Sequence, residues 1–140
     1  MDVFEAYGMS DEAVEKGIWA RLVVGSTDIG RVRVRSIDPD INAEYRKGLL
    51  TGGLARAQSA AGDNDADADQ MACALLADTV VTDWELYTTN KDGKEVPLKY
   101  SRKKCVELLS TLPKFRAAVE RAAQNWTRYR AKEFSETAKN

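Results

Sequence analysis

The sequence predicts an α+β fold, mostly helical, with an N-terminal β-hairpin (18–37) and a bundle of about four to five helices in a single domain over 1–140. Three observations predict it. Residues 31–35 read Arg-Val-Arg-Val-Arg, the period of two that marks a strand. The last third repeats apolar residues every three or four positions, the period of an amphipathic helix. The three prolines, Pro39, Pro97 and Pro113, stand where elements should begin or end. A length of 140 residues fits one domain.

Ser10 to Lys16 forms a short helix in this reading, with Gly17 as its stop. Ile18 to Val24 and Arg31 to Ile37 are strand-like, and Gly25 to Gly30 is a hairpin-length connection. Asp38-Pro39 reads as cap and first turn of a helix to about Leu50, with Ile41, Tyr45 and Leu49 on one face. Gly52-Gly53 weakens that helix, and 54–59 resumes it. The polar, small-residue stretch around 62–68 reads as a mobile acidic loop. A helix over about Asp67 to Val81 follows, with Met71, Ala74 and Leu75 facing inward, and Trp84 reads as a core anchor over a loop. The C-terminal helical pair occupies 99–137. Ser101 caps the first member, which carries Cys105, Val106, Leu108, Leu109 and Leu112. The second carries Phe115, Ala118, Val119, Ala122, Trp126, Tyr129 and Phe134, with Arg116, Glu120, Gln124, Arg128 and Arg130 on its other side. Such a stripe is ordinarily core, but this helix is longer than one small core needs, which leaves part of it for another chain.

Composition excludes a good deal of chemistry. There is no histidine, so a Ser-His-Asp or Cys-His arrangement cannot form within the chain. Cys73 and Cys105, 32 positions apart, make neither a zinc site nor a disulfide scaffold. No apolar run approaches the ~20 residues that span a bilayer, and the acidic N-terminus lacks a signal-peptide layout. A reduced, cytoplasmic setting with no membrane and no cofactor is the expectation. The four aspartates at 63, 65, 67 and 69 fail as a calcium loop, because neither register places Gly at position six or Glu at position twelve. Ser101-Arg-Lys-Lys104 matches S-x-x-K without its companion motifs, and Gly48 to Gly53 lacks the ending of a phosphate loop.

Charge is unevenly spread. The formal net charge is −1, yet residues 1–90 hold 8 basic and 16 acidic side chains, and residues 91–140 hold 13 and 6. A dipolar chain can associate with its own copies, making a homo-oligomer possible, or attract a charged partner. Arg31, Arg33 and Arg35 share one strand face. They can contact phosphate or guard an edge strand with charge; the slightly acidic whole makes nucleic acid the weaker alternative.

From Thr79 onward the order of features resembles the tail assembly chaperones of long-tailed (siphovirus-type) bacteriophages. The residues that carry it are Val80-Val81-Thr-Asp-Trp84, Asp92-Gly93-Lys-Glu-Val-Pro97, Tyr100-Ser101, Leu108-Leu109, Leu112-Pro113, the stretch from Phe115 to Phe134, and Lys139-Asn140. Gly17 to Trp19 and the Asn-x-x-Tyr of Asn42 to Tyr45 extend it more loosely toward the N-terminus. The resemblance implies a non-enzymatic protein that binds the tape measure protein and keeps it soluble until tail tube protein polymerises around it. It also implies action in the host cytoplasm, absence from the mature virion, and often a frameshifted longer form. Phe115, Val119, Trp126, Arg128 and Tyr129 are the candidate partner surface. Another phage virion or morphogenesis component, or a small nucleic-acid-binding regulator, are the alternatives.

Overall fold

The computed structural model describes residues 10–58 and 65–126, with isolated positions at 2, 3 and 8. Helix α1 (Asp11–Lys16) precedes strands β1 (Ile18–Val24) and β2 (Thr27–Val34). Helices α2 (Ala43–Gln58) and α3 (Asp65–Thr79) follow, then strands β3 (Val81–Thr89) and β4 (Glu95–Leu98), then helices α4 (Arg102–Thr111) and α5 (Pro113–Asn125). The strands form one antiparallel sheet in the order β1-β2-β3-β4.

That sheet corrects the expected architecture. The mixed α+β class fits, but a stand-alone N-terminal hairpin beside a helical bundle does not. A helix comes before the first strand, and β2 pairs along its other side with β3, which lies far along the sequence. The physical reason is a bulge. Arg33 pairs with Asp83, but Val34 pairs with Val81, so Thr82 is an extra residue in β3. Val81 and Trp84 therefore both face the core at a spacing of three, which hides the strand's period of two. Strand β4 contains Pro97, which weakens its strand signal further.

Local chemistry explains the element boundaries. Ser10 Oγ accepts from the Ala13 amide and opens α1, and Gly17 ends it at φ +94°. A Cβ at Gly17 would sit 2.4 Å from the Val34 carbonyl, so the position excludes side chains both by conformation and by space. The turn between β1 and β2 is only Gly25-Ser26, shorter than the expected connection, because β2 begins at Thr27 and absorbs Ile29 as a bulge. Asp38-Pro39 opens a turn, not a helix: Asp38 Oδ1 accepts from the Asp40 amide, and its carbonyl accepts from Ile41 and Asn42. The cap of α2 is Asn42, whose Oδ1 accepts from the Tyr45 amide at 3.1 Å. Its buried Nδ2 donates to the carbonyls of Ser36 (2.9 Å) and Thr79 (2.7 Å), joining three segments. Helix α2 then runs through Gly52-Gly53 without a break. Of the expected mobile loop at 62–68, residues 62–64 lie outside the described residues, and the chain is helical from Asp65. Ser101 caps α4 as expected, accepting from the Lys104 amide.

The main core lies between one face of the sheet and helices α3, α4 and α5. It joins Leu22, Val32, Val34, Val81, Trp84 and Leu86 of the strands to Cys73, Leu76, Cys105, Leu109, Val119 and Ala123 of the helices. A smaller cluster of Ala13, Ile18 and Trp126 closes the α1 end.

Candidate functional surfaces

The sequence-derived contact residues of the C-terminal segment divide sharply. Val119 is fully buried in the main core and Trp126 is 1% exposed against Ala13 and Ile18, so both side chains are engaged by the chain itself. Phe115 is half-buried against the main core. Arg128 and Tyr129 lie outside the described residues, as do 127–137 of the expected C-terminal helical pair. The side of α5 turned away from the core includes Ala117 and Arg121.

The three arginines of the strand face are already occupied. Arg31 forms a two-pronged pair with Glu85 across the β2–β3 ladder, at 2.7 and 2.8 Å. That bond holds the Glu85 carboxyl below its ordinary range and raises the guanidinium further. Arg33 donates to the Gly17 carbonyl and meets Glu12, and Arg35 donates to the Val14 carbonyl and to Glu44. These pairs hold the sheet to α1 and α2, a structural use that competes with phosphate binding. Arg31 also lies over the Trp19 ring, 4.3 Å from its centroid.

Two grooves remain. The first, of about 620 Å³, lies between α2 and α3 and reaches Arg116 and Glu120 of α5. Leu49, Met71 and Leu75 line it, and Leu49 and Met71 are among the exposed large apolar side chains. The helices approach closely there, since a Cβ on Gly48 would strike Leu75. The second, of about 850 Å³, runs beside β1. Six consecutive residues, Ile18 to Val23, line it, so it follows the edge of the strand and not one face. Opposite stand Ala118, Arg121, Ala122 and Asn125, one stripe of α5. Sequence reasoning missed this groove because it depends on which strand ends the sheet, and no local pattern records that.

Among the described residues, no cluster of three or more Cys, Asp or Glu side chains could hold a metal ion, and no helix is long and apolar enough to cross a membrane. The thiols of Cys73 and Cys105 are buried in the core and raised by desolvation, Cys105 to about 12, which opposes nucleophilic use.

Fold and surfaces together define a small two-layer α+β protein with open grooves on its flanks. The sequence model of the YdaY prophage protein family matches residues 42–140, well over half of the chain, and the chain belongs to that family. It is a phage-related protein. No curated protein and no solved structure matches it.

Proposed function

We propose that the protein is a tail assembly chaperone: it binds the tape measure protein, keeps that long helical chain soluble, and helps recruit tail tube subunits. The observation that carries this reading is the ordered run from Val80 to Pro113, which lies wholly inside the part of the chain that the prophage family model matches. The role is one of contact without catalysis, performed in the host cytoplasm, with the protein left out of the finished virion. Physical chemistry supports it. Long amphipathic helices aggregate when uncovered, and an apolar groove with charged rims covers them by helix-in-groove packing. The groove between α2 and α3 has that character, with Lys47, Asp78, Arg116 and Glu120 around Leu49 and Met71.

Because Val119 and Trp126 are core residues, the contact narrows to Phe115, Arg128 and Tyr129 together with that groove. Co-expression with the tape measure protein of the same phage tests the reading. The expected result is a larger soluble fraction of tape measure protein when this chain is present, reduced by Arg128→Glu and by Leu49→Asp. An unchanged soluble fraction with the unaltered chain, its own fold verified by circular dichroism, sinks the reading.

A further inference from the structure

We infer that the outer edge of β1 is a docking site for an extended acidic–apolar peptide segment of a partner protein, which adds a fifth strand to the sheet. The inference goes beyond the chaperone reading and does not rest on it.

Strand β1 ends the sheet, and no strand pairs with its outer side among the described residues. Its seven residues, Ile-Trp-Ala-Arg-Leu-Val-Val, extend for about 23 Å and contain no proline or lysine. The other edge strand, β4, is built the usual protective way: it has four residues, includes Pro97, and is flanked by Lys94 and Lys99. Among the described residues, only the β1 edge is left receptive, and beside it lies the groove of about 850 Å³. Its helical wall offers Ala118 and Ala122, short side chains that leave room for those of an incoming strand. A strand docked here alternates between two surroundings. One set of its side chains meets Ala118, Ala122 and the buried Leu22, and must be apolar. The other set lies on the outer face beside Trp19 and Arg21.

Charge selects the occupant. The groove is lined by Arg21, Arg31 and Arg121 and by no acidic side chain. Arg31 is held by Glu85 and Arg21 is 3.7 Å from Asp28, whereas Arg121 has no ion pair among the described residues and supplies the surplus. A second copy docking β1 against β1 would bring two such basic grooves together and set like charges across the new ladder. An acidic segment instead gains a cross-strand partner at Arg21, and Arg121 on the helical wall adds longer-range attraction that salt screens.

The probe is a fluorophore-labelled nine-residue peptide alternating glutamate and valine, titrated with the full chain and read by anisotropy. Methylating the backbone nitrogens that face β1 should weaken binding about tenfold or more without changing charge, because strand addition uses those N–H groups. Arg121→Glu, an exposed change, should weaken binding about fivefold or more at low salt. Equal binding of the methylated and parent probes would show charge attraction alone and overturn the inference. Absence of binding overturns it too, as does a chain that sediments as a dimer from which the probe is excluded. Each of these leaves the chaperone reading standing, since tape measure solubility is measured without the probe.

Discussion

Trp84 and Trp126 are about equally buried and unequally satisfied. Trp84, 4% exposed, donates from Nε1 to the Leu98 carbonyl at 2.7 Å and packs edge-on against Tyr100, whose hydroxyl donates to the Val81 carbonyl. The Nε1 of Trp126 is buried with no hydrogen-bond partner among the described residues. Removing a donor that has a partner leaves a buried acceptor unpaired, whereas removing one that has none costs only volume. Trp84→Phe should therefore destabilise by roughly 1 kcal/mol more than Trp126→Phe; urea unfolding of the two variants at equal concentration measures the difference, and equal losses would refute it. Legibility at this scale varied with the range of the interaction. Ser101 could be read as a cap because its partner lies three residues on; Ser10 caps at the same spacing, although its sequence marks only the start of the helix. Asn42 was visible only within an Asn-x-x-Tyr pattern, since the carbonyls its amide reaches, those of Ser36 and Thr79, are brought to it by the fold. The arginine row was plain in the sequence, but its pairing with Glu12, Glu44 and Glu85 was not.

Strand β3 shows what a single extra residue does to an element. With Thr82 inserted, the inward residues are Val81, Trp84 and Leu86; without it they would alternate strictly. Thr82 also ties the bulge down, donating from Oγ1 to the carbonyls of Lys16 and Arg33. Deleting Thr82 should thus preserve the pairing of β2 with β3 and the cooperative unfolding of the chain, at a cost of about 1–2 kcal/mol for the lost hydrogen bonds. Deleting Glu85 should instead turn Leu86 out of the core and abolish cooperative unfolding. Circular dichroism with urea titration separates the two, and a fully unfolded Thr82 deletion would contradict the account. Helix α4 was legible because cap and apolar period agree within a few residues, and α1 because Gly17 marks its stop. Strand β3 was not, because its period is broken where it matters, and α2 starts later than Asp38-Pro39 suggests because the aspartate spends its acceptors on a turn.

Across the whole molecule, the charge split along the sequence is folded back on itself. Arg102 of the basic end pairs with Asp78, and Arg116 pairs with Asp69, both from the acidic part. The core carries a second electrostatic signature. Burial, with Cys73 as a lesser cause, pushes the Cys105 thiol from an ordinary value of 9.0 to about 12, and burial raises Cys73, Tyr45 and Tyr100 as well. Above about pH 9 the unfolded chain loses thiol protons that the folded chain still holds, so the stability they contribute is complete below that pH and is lost as the pH climbs toward 12. The urea midpoint should fall steadily over that window, less steeply in Cys105→Ala, and a flat profile there would be inconsistent with a protonated, buried thiol. Pro97, on the closed edge of the sheet, bears on stoichiometry: a strand received at β1 cannot be handed on to another copy through β4. Each molecule then takes one guest and stops, so the number of copies on a long partner would be a tally of that partner's own acceptable segments.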